Sequence, residues 1–233
     1  MYISVYQVGV WGTQELHSSV GSGVLDTVAT FLEEGANRAG KDLNAQVKSL
    51  EVPTPIERPK VSFTVPNPCY NNINTTYDSL VGWWTDYGNC NVSNLEVDSN
   101  LLVTNATSGG VAWGGGKYAV ANGHEIPAWR DTYTNSAPSS KEGAKAMVSC
   151  MHETGHNLMK SGLSDPDEDN VKHHDTGTAY DAPAGISATP MSSGGYFGNL
   201  ENGNECLYNP PGTSYERFAF RWSNCCQGKW QKK

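Results

Sequence analysis

Long apolar runs are missing from this 233-residue chain. No stretch approaches the roughly 20 consecutive apolar residues that a membrane helix requires, so no membrane span is expected. The opening "MYISVYQVGVWG" has neither a basic start nor an uninterrupted apolar core, and an export leader is therefore expected to be absent from this chain. Cations are few: 16 Lys and Arg against 24 Asp and Glu leave a formal net charge of -8 and a pI near 5.2. Phosphate neutralisation needs clustered Lys and Arg, and these are scattered, which argues against a nucleic-acid partner. No C-x-x-C pair occurs among the cysteines, so a cysteine metal site is disfavoured. Internal repeats, low-complexity tracts and phosphate-binding glycine fingerprints are absent as well.

What is there is the composition of a folded chain. The 25 glycines and 12 prolines imply many turns within a globular protein rather than disorder. The length suits a single domain, 1–233. Six cysteines (Cys69, Cys90, Cys150, Cys206, Cys225 and Cys226) form an even set, which favours mostly paired cysteines and a secreted, extracellular protein. Cys69 and Cys90 bracket one compact helical excursion and are the expected pair. Sequons at Asn74, Asn91 and Asn105 point the same way in a glycosylating host.

Periodicity supplies the layout. "YISVYQVGVWG" alternates as a strand, and "SGVLDTVATFLEEGANRAG" then places Val24, Leu25, Val28, Phe31 and Leu32 on one helical face behind a capping Ser22. The proline-spaced "EVPTPIERPK" reads as a loop and "VSFTVP" as a short strand. Helical spacing returns at Tyr77, Leu80, Val81, Trp84 and Tyr87, whose aromatics read as core. "SNLLVTN" has the character of a buried strand, and "GGVAWGGGKYAVANG" of a glycine-flanked one. Those glycines mark either a bulged edge strand or a place where another backbone, such as a peptide substrate, comes close. A capping box, Ser139 with Glu142, opens a long helix through "HETGHNLM". From Lys160 to Pro211 the sequence is turn-rich, and its acidic "DPDEDN" reads as a solvated loop rather than a calcium site. A second capping box, Thr213 with Glu216, predicts a closing helix with Tyr215, Phe218, Ala219, Trp222 and Cys226 on one face.

The chemistry concentrates in "MHETGHNLMKSG". On a helix, residues four apart lie one turn apart on the same face, so His152 and His156 can both reach one zinc ion. Ala144, Met147, Val148, Met151, Gly155 and Leu158 form the apolar stripe, and both histidines fall roughly 100° from its centre, at the wall of a cleft. Gly155 sits inside that stripe although glycine costs roughly 1 kcal/mol against alanine in a helix, so another element is expected to pack tightly on it. Glu153 projects to the side of the first ligand, where a carboxylate can accept a proton from water held at the ion. Beyond the motif pair the histidines are His17, His124, His173 and His174. The first two read as surface or loop residues, and either of the last two could be carried back over the ion by a returning loop.

"HETGHNLM…HHD" resembles the metzincin metalloproteases, most closely their reprolysin (adamalysin) branch, with the signature H-E-x-G-H-N-L-G-x-x-H-D. His152, Glu153, Gly155, His156, Asn157 and Leu158 match position by position, and His174 with Asp175 matches the closing pair. "ATPMSS" resembles the methionine turn, which would set Met191 beneath the zinc, and "LLVTN…GGVAWGGGKYAV" resembles the strand pair whose second member binds substrate. The resemblance implies an α+β zincin-like fold. Its parts would be a twisted mixed sheet, an active-site helix, and an irregular C-terminal subdomain from about residue 161 that carries the methionine turn and closing helix. It implies one catalytic Zn2+ held by His152, His156 and His174, with Glu153 as general base. The activity implied is that of a zinc endopeptidase, a monomer acting on extended polypeptides held along Val111, Ala112 and Trp113.

The departures are specific. Met159 replaces the glycine that ends the family's zinc helix, and about a dozen extra residues precede His174, as in leishmanolysin-like metzincins, so the helix is expected to run on to Gly162. His173 and Asp181 compete as third ligand. Asp181 lies in "GTAYDAPAG", which partly resembles the aspzincin element G-T-x-x-D-x-x-Y-G but has Ala184 in place of its tyrosine. An aspzincin-type protease and a zinc-stabilised binding module without turnover are the alternatives. A structural site is normally closed by four protein ligands and needs no adjacent base, so the intact Glu153 favours the enzyme.

Overall fold

The computed structural model describes residues 5–56, 58, 61–70, 72–105, 109–113, 116–126, 141–159, 179–182, 185–191, 217–223, 226 and 228–233. Its first element, β1 (Tyr6–Thr13), ends where the Thr13 hydroxyl accepts the backbone N–H of Leu16, capping the short helix α1 (Gln14–Val20). Helix α2 (Gly23–Arg38) follows and buries Val24, Leu25, Val28, Phe31 and Leu32, the face its spacing predicts. Strand β2 (Leu43–Val52) then returns parallel to β1. The hairpin β3 (Phe63–Pro66) and β4 (Asn74–Tyr77) leads into α3 (Leu80–Asn91), and the Cys69–Cys90 disulfide ties the two with a Cα–Cα separation of 5.3 Å. Tyr77, expected on the helix, is the last residue of β4 and is buried there.

Strands β5 (Ser99–Thr104), β6 (Gly110–Ala112) and β7 (Tyr118–Asn122) complete a five-stranded sheet in the order β2-β1-β5-β7-β6. The first four strands are mutually parallel, and β6 runs antiparallel along β7 at the edge. "GGVAWGGGKYAVANG" is therefore two strands and not one, since β6 pairs antiparallel with β7 and the Trp113 carbonyl between them accepts from Gly116 N. Parallel strands are buried on both faces, which is why every residue of β5 and β7 is buried, with an apolar Leu101–Val103 run in β5 and an almost wholly apolar β7. Leu101, Val103, Ala119 and Ala121 face the core under α2 and the long helix α4 (Lys141–Leu158); Leu102, Tyr118 and Val120 face the aromatic core under α3. The architecture is mixed α/β with four helices among the described residues, and no helix among them is long and apolar enough to cross a membrane.

Three expectations about the second half change. Helix α4 stops at Leu158 instead of running to Gly162, because Met159 forms a β-bridge with Trp230 and the Leu158 carbonyl accepts from Gln231 N at 2.8 Å. The turn-rich segment contains the hairpin β8 (Ala179–Ala182) and β9 (Gly185–Ala188). Where a closing helix is predicted, Arg217–Phe218 is strand β10, paired parallel with β9, and helical backbone is found only at Cys226 and Gly228 among the described residues beyond it. The apolar residues that suggested a helix are nonetheless buried: Ala219, Trp222 and Cys226 all lie within the core. Pairing with β9 satisfies backbone groups that the helix would have satisfied internally. Of the mostly paired cysteines expected, Cys69–Cys90 is the disulfide found among the described residues; Cys150 is a buried thiol, and burial followed by the charge of Glu153 pushes that thiol well above its ordinary range.

Candidate metal and catalytic site

Helix α4 lies against β5, β6 and β7 on one side and α2 on another, so its burial extends beyond the apolar stripe. His152 and Glu153 are 8% and 7% exposed, and Thr154 and Asn157 are fully buried. The two imidazoles meet edge to face with their Nε2 atoms 3.0 Å apart. On the far side of the first ring, Nδ1 of His152 lies 2.5 Å from the carbonyl oxygen of Pro190. A carbonyl can only accept, so Nδ1 carries the proton, and in the neutral ring Nε2 is left with its lone pair directed at His156.

That arrangement provides a test of whether the pair suits a metal. Two nitrogens bound at about 2.0–2.1 Å to one tetrahedral ion stand about 3.3 Å apart, and at 3.0 Å they would subtend an angle slightly above 90°. The spacing, the fixed tautomer and the orienting carbonyl all fit two ligands of one ion. Among the described residues no group of three His, Cys, Asp or Glu side chains converges. The candidate third ligands His173 and His174, with Asp175, lie outside the described residues; Asp181 is in β8, where only the backbone is described.

Gly155 and Gly110 explain how the site is packed. A Cβ at Gly155 would stand 2.6 Å from Met191 Sδ and 2.8 Å from Trp222 Nε1, so the fully buried Met191 sits in its turn directly against the helix between the two histidines. This is the tight packing that the mid-stripe glycine implied. A Cβ at Gly110 would lie 2.5 Å from Glu153 Cγ, 2.9 Å from Glu153 Oε1 and 2.8 Å from the Val120 carbonyl. The neighbour that Gly110 admits is thus the Glu153 side chain, which rests across the start of the edge strand. One turn on, Asn157 Nδ2 donates to Ser99 Oγ at 2.9 Å and ties the helix to β5.

Val111 and Ala112 are half-buried in β6, and Trp113, the next residue, is 53% exposed. His124 is an exposed loop residue, whereas His17 is packed on Gly12 with Nδ1 3.4 Å from Glu51 Oε1. Sequence reasoning missed Pro190 and Ser99. Their roles depend on a backbone carbonyl and a lone hydroxyl, neither of which leaves a pattern along the chain.

No protein-family model and no curated protein matches this sequence. The crystal structure of wild-type OgpA from Akkermansia muciniphila is a structural neighbour at a TM-score of 0.39 and 13% sequence identity. The alignment covers 96% of this chain and 58% of that one, so this chain spans little over half its length. Nothing about activity transfers at that degree of likeness.

Proposed function

We propose that the chain is a zinc-dependent endopeptidase of metzincin type, most like the reprolysin branch. It would be an exported monomer that hydrolyses internal bonds of extended polypeptides. The single observation that carries the reading is the convergence of the His152 and His156 Nε2 atoms, 3.0 Å apart, beside the buried Glu153, whose side chain rests on edge strand β6 of the sheet. His152, His156 and His174 would hold the ion, with Asp181 or His173 as the competing third donor. When bound, zinc supplies a Lewis acid and brings the pKa of water toward neutrality.

The protein residues do the rest. Pro190 holds the His152 ring so that Nε2 remains the ligating nitrogen. The Glu153 carboxylate takes a proton from the attacking water and passes it to the leaving amine. Burial of Glu153 keeps competing water away and strengthens its interaction with charge that develops during the reaction. Strand β6 has one side paired with β7, and its other side would take the substrate backbone antiparallel through Val111 to Trp113. The Cys69–Cys90 disulfide supports an oxidising compartment.

The test combines metal analysis with digestion of a peptide library, with and without chelator. Glu153→Ala should retain zinc and lose about a thousandfold or more in kcat/KM. Undiminished cleavage by that variant refutes the mechanism. Absence of bound zinc would leave the two histidines as a hydrogen-bonded pair, for which 3.0 Å is equally suitable.

A further inference from the structure

Among the described tryptophans all but one are core residues. Among the described residues Trp11, Trp83, Trp84, Trp222 and Trp230 are at most 6% exposed, whereas Trp113 is 53% exposed. It follows directly on edge strand β6, and alternation of side chains decides which way it faces. Val111 packs on the aromatic core under α3, while Ala112 packs on the core under α4. Trp113, two residues beyond Val111, returns to the α3 side. Its six-membered ring lies over Gly82 in the first turn of α3, with Cη2 and Cζ2 at 3.7 and 3.9 Å from where a Cβ would stand and Tyr77 Cδ1 at 3.5 Å from the same point. The indole is therefore seated on the backbone of α3 beside the Tyr77 ring, with half its surface open.

We infer that Trp113 is a specificity-determining residue: its indole forms the wall of a subsite for a β-branched or aromatic side chain of the substrate, on the N-terminal side of the cleaved bond. This rests on the peptidase reading and adds the substrate class to it. A strand added antiparallel to β6 places each of its residues opposite one β6 residue, with both side chains on the same face and Cβ atoms about 4.5–5.5 Å apart. Glu153 marks the reacting end, since its side chain rests on Gly110. Trp113 lies three residues further along, roughly 10 Å at strand spacing. In an antiparallel partner that direction leads toward the N-terminus, so the residue opposite Trp113 precedes the scissile bond by about two to four positions. Aromatic–aromatic and aromatic–β-branched cross-strand pairs outdo alanine by up to about fivefold in an equilibrium constant.

The experiment is cleavage-site profiling on a randomised peptide library by the whole chain, as wild type, Trp113→Ala and Trp113→Phe. Thermal melting verifies that each variant is folded; the half-exposed side chain should make both tolerable. Wild type should enrich Val, Ile, Tyr, Phe or Trp about fivefold over alanine at one position two to four residues before the cut. Trp113→Ala should flatten that position alone, and Trp113→Phe should retain its enrichment. A wild-type profile that is flat there, or enrichment that survives Trp113→Ala, overturns the subsite while leaving the peptidase intact. A wild type that cuts nothing removes the peptidase reading and this inference with it.

Discussion

Gly155→Ala puts the packing beneath the histidines to a quantitative test, because two effects of known size oppose each other. Alanine is favoured over glycine within a helix by about 0.8–1.0 kcal/mol, so propensity alone predicts a more stable protein. The added methyl would, however, stand 2.6 Å from Met191 Sδ and 2.8 Å from Trp222 Nε1, both well inside ordinary contact distance, and both residues are fully buried. Met191 could turn part of its chain, but the Trp222 indole is rigid and is packed edge to face on Trp230 with centroids 5.0 Å apart. Overpacking of this kind costs about 1–3 kcal/mol per site, and with two groups displaced the upper part of that range applies. The net expectation is a loss of about 1–2 kcal/mol, or roughly 2–8 °C in Tm for a chain of this size. Gly23→Ala provides the control, since a Cβ there meets nothing within 4 Å and the substitution should stabilise by about 0.5 kcal/mol. Urea denaturation of both variants, with the m-value monitored, reads the difference. Movement of Met191 should also shift the Pro190 carbonyl from His152, so zinc affinity by chelator competition should fall in Gly155→Ala and not in Gly23→Ala. A Gly155→Ala protein as stable as wild type would show that the contact between the turn and the helix is not tight.

The third ligand can be assigned by substitution: His174→Ala should lower zinc occupancy and abolish cleavage while His173→Ala leaves both largely intact, whereas loss of zinc in Asp181→Ala alone would place the chain with the aspzincins. Removing the disulfide by the double change Cys69→Ser and Cys90→Ser opens a loop spanning 21 residues and should cost about 3 kcal/mol, measured as a lower denaturation midpoint. Asp98 is fully buried and accepts from Gln7 N at 2.8 Å, Lys232 Nζ at 2.9 Å and Lys233 N at 3.1 Å. Asp98→Ala should therefore destabilise by about 2 kcal/mol, held to that figure because Lys232 is about one-third exposed to solvent, and unchanged unfolding would refute its role in holding the C-terminal segment.

Much of the first half was legible because its information is local. The amphipathic spacing of α2 and the continuous apolar run of β5 each report the face that must be buried, and those elements lie where periodicity puts them. The H-E-x-x-H spacing likewise brings His152 and His156 together, since the pitch of a helix permits little else once that helix forms. Strand β2 escaped notice because its alternation changes phase, from Leu43, Ala45 and Val47 to Leu50 and Val52, across the point where its pairing with β1 slips. Strand β10 was read as a helix because Ala219, Trp222 and Cys226 recur at a helical interval, yet Arg217 and Phe218 pair with β9, Trp222 packs on Trp230 and Cys226 Sγ lies 4.0 Å from Met159 Sδ. The end of α4 was equally out of reach: methionine is a good helix former, and the bridge that engages Met159 as a strand is made with Trp230, 71 residues later. By itself, the sequence determined which residues must be buried and which histidines must share a helical face. The tertiary structure decided that Glu153 lies across Gly110, that Pro190 sets the His152 tautomer and that Trp113 stands open on Gly82, because each joins groups far apart in the chain and no local period encodes their approach.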